Sequence, residues 1–196
     1  MGFLHMGVGD RMIELIEKQQ FHLTYNWRVD AYPRGTVRLS EPVNERAPDG
    51  SWVNRGRMII PSTPPAETRE GKNLIVDTGH FLVGDMLMDE TGYDTGLTYH
   101  AMGTGTTAVA AADLTLTTET SRKIMTAKSR LLGVVTYSTF FTAAESTYAI
   151  KEAGVFGHSD ASGTADSGSL FSHYLVTFDN SGGNYDITFS YVLSIA

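Results

Sequence analysis

Phe21-His22-Leu23-Thr24-Tyr25-Asn26-Trp27-Arg28-Val29-Asp30-Ala31 is the stretch that decides the fold class. Apolar and polar residues alternate strictly with period two, and strong strand formers fill the apolar places, so the run predicts a strand with one face buried. It ends at Pro33-Arg34-Gly35, a turn signal, with Val37 and Leu39 as a short return strand. Tyr185, Ile187, Phe189, Tyr191, Leu193 and Ile195 repeat the alternation near the other end. Leu170 to Phe178 reads as their neighbour, with Phe171, His173, Leu175 and Thr177 on one side. Asn180-Ser181-Gly182-Gly183-Asn184 predicts a hairpin-like turn between these two strands. Leu97 to Met102, Leu131 to Thr142 and Ala149 to Phe156 supply further strands.

Helical patterning is limited to two short segments. Arg11 to Lys18 carries an apolar stripe after Asp10, an N-cap residue. A second helix is expected from about Gly79 to Met88, capped by Asp77 or Thr78. From Glu41 to Gly71 the character changes: five of the six prolines fall here, and apart from one short strand candidate between Ser51 and Ile60 there is no periodicity. Proline cannot donate to a ladder, so the segment reads as an extended arm. The expected fold is mainly β: an antiparallel β-sandwich with one or two short helices and an extended N-terminal arm. Residues 1–71 would hold the first helix, the first strand and the arm, and residues 72–196 the sandwich body.

Composition narrows the function classes. The 196 residues contain no cysteine, which excludes disulfides and thiol chemistry. The formal charge is −7, and the nearest approach to a basic cluster is Arg122, Lys123, Lys128 and Arg130. Neither a nucleic acid nor an anionic membrane surface is therefore an expected partner. No segment reaches the apolar length that spans a bilayer, and the N-terminus has no basic region typical of a signal peptide.

Catalytic patterns fail on inspection. Gly103-Thr104-Gly105 follows a strand, but no Gly-Lys-Ser/Thr ends the loop and position 108 is Ala. Phosphate cradling needs those residues, so a tight turn is the better reading. His5, His22, His80, His100, His158 and His173 show no metal-ligand spacing, and no Gly-x-Ser-x-Gly elbow exists. Asp160 and Asp166 lie in a Ser/Gly loop, residues 158–169, that could offer oxygens to a cation, although the spacing is not that of an EF-hand. Glu119 and Arg122 stand three apart and would pair on a short helix. Glu152, set among apolar residues of a strand, needs a partner if buried. No cofactor is expected.

Four phrases carry a resemblance: Asn73 to Gly79, Gly103-Thr104-Gly105-Thr106, Asp113-Leu114-Thr115-Leu116 with Glu119-Thr120-Ser121-Arg122, and Ile150 to Gly157, which includes Glu152 and Gly154. Over about residues 72 to 196 the chain resembles small structural proteins of tailed bacteriophages, related in style to tail-fibre and collar proteins. It departs from that pattern at Ala108-Val109-Ala110, where the family carries a proline, and in a slightly shifted register after Asp113. The resemblance implies a non-enzymatic virion protein assembled in the host cytoplasm. Gly103, Thr104, Gly105, Thr106, Asp113, Leu116, Glu119, Arg122, Glu152 and Gly154 would then serve turns and assembly contacts. A capsid cement or decoration protein is the first reading, acting as a homo-oligomer, expected to be a trimer, on the major capsid protein. A tail, neck or baseplate part, with tail proteins as partners, is the alternative. A carbohydrate-binding sandwich using Tyr25, Trp27 and Trp52 is a second alternative, although Tyr25 and Trp27 fall on the apolar side of their strand.

Overall fold

The structure is a computed structural model that describes residues 23–46, 50, 52–88 and 96–195. The expected helix at Arg11 to Lys18 lies outside the described residues. In chain order the elements are β1 (Leu23–Pro33), β2 (Val37–Arg46), β3 (Trp52–Pro61), β4 (Glu67–Lys72), β5 (Leu74–Ile75), α1 (Asp77–Leu87), β6 (Leu97–Gly103), β7 (Glu119–Ile124), β8 (Ala127–Leu131), β9 (Val134–Phe141), a 3₁₀ turn (Ala143–Glu145), β10 (Ala149–Gly157), β11 (Ser169–Asp179) and β12 (Tyr185–Ile195).

The strands form two antiparallel sheets. One has the order β2-β3-β8-β9-β12-β1-β4, the other β5-β11-β10-β6-β7. The two alternating runs, β1 and β12, pair along their full length near the middle of the larger sheet, from Leu23–Ile195 to Pro33–Tyr185. Their inward residues, Trp27, Val29, Phe189 and Tyr191 among them, meet Phe171, Tyr174 and Val155 from the smaller sheet. Trp27 stacks on Tyr174 with ring centroids 5.3 Å apart, and its indole N–H donates to the Lys72 carbonyl at 3.1 Å. Tyr25 and Trp27 are thus core residues, 8 % exposed each, whereas Trp52 is 71 % exposed.

Several expectations are corrected by the pairing. The turn at Asn180–Asn184 is a corner between sheets, because β11 pairs with β10 and β5 while β12 pairs with β1 and β9. The Asn180 side chain makes that corner by donating to the Ser146 and Tyr185 carbonyls and accepting from the Tyr185 amide. Alternation in β11 breaks at the register shift opposite Val155 and Phe156, so Phe171 turns into the core while His173, Leu175 and Thr177 share the outer side of the sheet. Helix α1 begins at Asp77, and neither expected cap is used: Val76 holds the N-cap position, while the Thr78 hydroxyl donates to the Leu170 carbonyl at 2.6 Å. The strand expected from Leu131 to Thr142 is β9, which starts at Val134 after a turn from β8 in which Leu132 takes a φ of 52°.

Residues 41–71 carry the rest of β2, then β3 and β4. The prolines are accommodated where a missing donor costs little: Pro42 sits between two register shifts and Pro61 ends its strand. β2 and β3 form a hairpin extending the larger sheet, and β4 lies on the far edge beside β1. The change of composition near residue 72 therefore falls inside the larger sheet's connectivity, with β1 and β4 lying in the same sheet as β9 and β12.

Candidate functional site

The resemblance-bearing phrases converge on the outer face of the smaller sheet, where the loop between β6 and β7 folds down over β10 and β11. Glu152 of β10 is at the centre. It pairs across the ladders with Gly103 on one side and Leu175 on the other, and it is completely buried. A carboxylate there needs donors, and the loop brings them. One oxygen accepts from the Gly105 amide at 3.1 Å and the Thr118 amide at 2.7 Å. The other accepts from the Thr117 amide at 2.9 Å and lies 3.1 Å from His173 Nε2. Three backbone amides thus donate to the carboxylate, and the imidazole closes the remaining side.

His173 carries the connection outward. Its Nδ1 lies 2.7 Å from an Asp113 carboxylate oxygen, and the same oxygen accepts from the Ala110 amide at 2.9 Å. The ring is 1 % exposed and lies between the two carboxylates, one at each nitrogen. Asp113–His173–Glu152 thus looks like a catalytic relay in outline. It ends, however, on a buried carboxylate that accepts from three backbone amides of the loop, and these contacts fasten the loop to the sheet.

Close approach explains the glycines. A Cβ on Gly105 would stand 2.4 Å from a Glu152 oxygen, and one on Gly103 would stand 2.3 Å from the Thr118 carbonyl oxygen. A Cβ on Gly154 would meet Leu116 at 2.9 Å. Leu116 is pressed there into a small second core with Val76, Ala101, Phe156 and Leu170. Thr104 contributes its backbone, its amide donating to the Thr118 carbonyl at 3.0 Å, and Thr106 is exposed.

Glu119 and Arg122 form a second fastening beside the first. They pair as expected, but on β7 and not on a helix. A register shift between Met102 and Gly103 inserts an extra residue opposite β6, and this brings residues three apart to one face of a strand. The pair is bidentate, at 2.8 and 2.7 Å, with side chains 1 % and 3 % exposed. The remaining Arg122 nitrogen donates to the Ser167 carbonyl at 2.5 Å and its hydroxyl at 3.1 Å, and the guanidinium lies 3.9 Å above the Phe156 ring. The 158–169 loop is thereby tied down. Within it the Ser162 hydroxyl and the Thr164 carbonyl bond to the Ser167 hydroxyl, Asp160 and Asp166 are exposed, and no cluster of three or more metal-ligating side chains occurs among the described residues.

Seven of the ten singled-out residues therefore meet in these two fastenings, Leu116 and Gly154 pack in the small second core beside them, and Thr106 is exposed. What sequence reasoning missed is His173 and the amides of Thr117 and Thr118. Backbone donors have no signature in a sequence, and the place of His173 beside Glu152 follows from the register of β10 on β11. Comparison with protein-family models, curated proteins and solved structures returned no match for the chain.

Proposed function

We propose that the protein is a non-enzymatic structural component of a tailed-phage virion, and specifically a capsid cement or decoration protein. The observation that carries this reading is the use made of the resemblance-bearing residues: their polar atoms bind the protein's own backbone and hold loops flat on a sheet. That is the work of a rigid body built to be contacted. The β2–β3 hairpin supports the same reading, since it lies at the edge of the larger sheet and presents Trp52 and Met58 at 71 % and 58 % exposure. Exposed apolar groups on an edge hairpin suit lattice contacts, where weak contacts sum over many copies. The partners proposed are further copies of the chain, in a trimer, and the major capsid protein.

A tail, neck or baseplate part is the competing assignment. Quantitative mass spectrometry on separated heads and tails of the source phage decides between them. Hundreds of copies per head support the cement role, and a few copies with tails move the protein to the tail. Absence from both fractions overturns the virion reading, and glycan-array binding by the isolated protein would then favour the sugar-binding alternative.

A further inference from the structure

β3 and β8 are neighbours in the larger sheet but meet at one bridge, Gly56 with Ala127. The Arg57 amide closes it by donating to the Thr126 carbonyl at 2.7 Å. Gly56 is there because of its φ of 87° and because a Cβ would stand 2.1 Å from that same carbonyl oxygen. Away from this point β3 is paired with β2 and β8 with β9 among the described residues. Their facing edges leave peptide groups of residues 128–131 without a ladder partner, beside a cleft of about 350 Å³.

The cleft has a chemistry unlike the rest of the chain. Arg55, Arg57, Lys128 and Arg130 line it against Glu45, in a protein of net charge −7. Arg55 is paired with Glu45 at 2.8 Å, and Arg57 donates through Nε to the Ser40 carbonyl. Lys128 and Arg130 have no ion pair with any described residue. Lys123 and Arg122, their companions in the sequence cluster, are bound to Glu145 and Glu119 instead. Partial burial disfavours the charged form of Lys128, whose pKa is lowered by desolvation, so an anion beside it would relieve a standing cost. Val43 and Met58 add apolar wall.

We propose that this cleft is a strand-addition site for an extended acidic peptide segment. The segment hydrogen-bonds to the open edge of β8, its carboxylates meet Lys128 and Arg130, and its alternate apolar side chains rest on Val43 and Met58. Main-chain bonds supply affinity, while the local excess of cations selects acidic sequences and speeds encounter. The site would serve any partner of that chemistry, inside a particle or outside one.

Fluorescence anisotropy with the full chain tests it. The probe is a short labelled peptide of alternating Glu and Val. The comparisons are its Lys–Val counterpart, an alternately N-methylated Glu–Val peptide and a labelled oligothymidylate. Saturable binding of the Glu–Val peptide alone is expected, weakened about tenfold or more by Lys128→Glu with Arg130→Glu. If that variant misfolds by circular dichroism, Lys128→Gln with Arg130→Gln is expected to weaken binding in the same direction. Equal binding of the N-methylated peptide would overturn strand addition, and equal binding of the oligonucleotide would reduce the cleft to a general anion site. Absence of Glu–Val binding, or binding untouched in a folded variant, would overturn the proposal outright.

Discussion

At the scale of single residues the fold turns on Glu152. A fully buried carboxylate is costly alone and stabilising only with its donors in place. Glu152→Gln keeps the shape but points an NH₂ at backbone amides that also donate. We expect a loss of about 3 kcal/mol or more in urea-induced unfolding, from a buried charged hydrogen-bond network left with unsatisfied groups. Amide hydrogen exchange should speed most at Gly105, Thr117 and Thr118, whose donors it accepts. A loss within about 0.5 kcal/mol, the range of ordinary surface changes, would refute the fastening role. The sequence makes Glu152 visible as a charge needing a partner, and Glu119 with Arg122 visible as a pair. It could not show that a bulge, and not a helical turn, brings that pair together.

Among the elements, legibility followed periodicity. β1 and β12 are plain in the sequence because each buries one face, and the alternation survives along a ladder without shifts. β2 and β3 are obscured because neither buries a face continuously, and because Pro42 falls between two register shifts. The partner choice of β11 and β12 was equally hidden: a Gly-rich turn serves a corner as well as a hairpin. The weak attachment of the β2–β3 hairpin has a consequence for stability. Beyond its own pairing it is held by β8 at one bridge and by bonds at its base, such as Ser62 N–H to the Thr36 carbonyl at 2.8 Å. Replacing residues 39–58 by a short turn should therefore lower the unfolding free energy by only about 1 kcal/mol, as expected for a segment with few buried contacts. Thermal melting of the shortened chain checks this, and collapse of the cooperative transition would show that the hairpin belongs to the core.

For the whole molecule, the contact between the sheets contains one group whose charge would be intolerable. His100 is completely buried, hydrogen-bonded to the Tyr174 hydroxyl and set 4.9 Å from the Phe189 ring. Desolvation lowers its pKa from 6.5 to about 3. The unfolded chain thus takes up the proton near pH 6.5 and the folded chain only near pH 3. Between those values the unfolded state holds more protons, so stability is full above pH 6.5 and falls as the solution is acidified. The slope from this one site approaches about 1.4 kcal/mol per pH unit. Urea titrations between about pH 6.5 and 4 should show a shallower slope for His100→Gln than for the parent chain, and equal slopes would mean that the ring is protonated within the fold. The pairing of β1 with β12 bears on a different matter, the order of synthesis. Leu23 finds its ladder partner at Ile195, so the strand made early on the ribosome must wait for one made much later. At about 5–20 residues per second that delay is of order ten seconds or more, during which the aromatic face of β1 has no cover and is open to capture by chaperones or by other nascent chains.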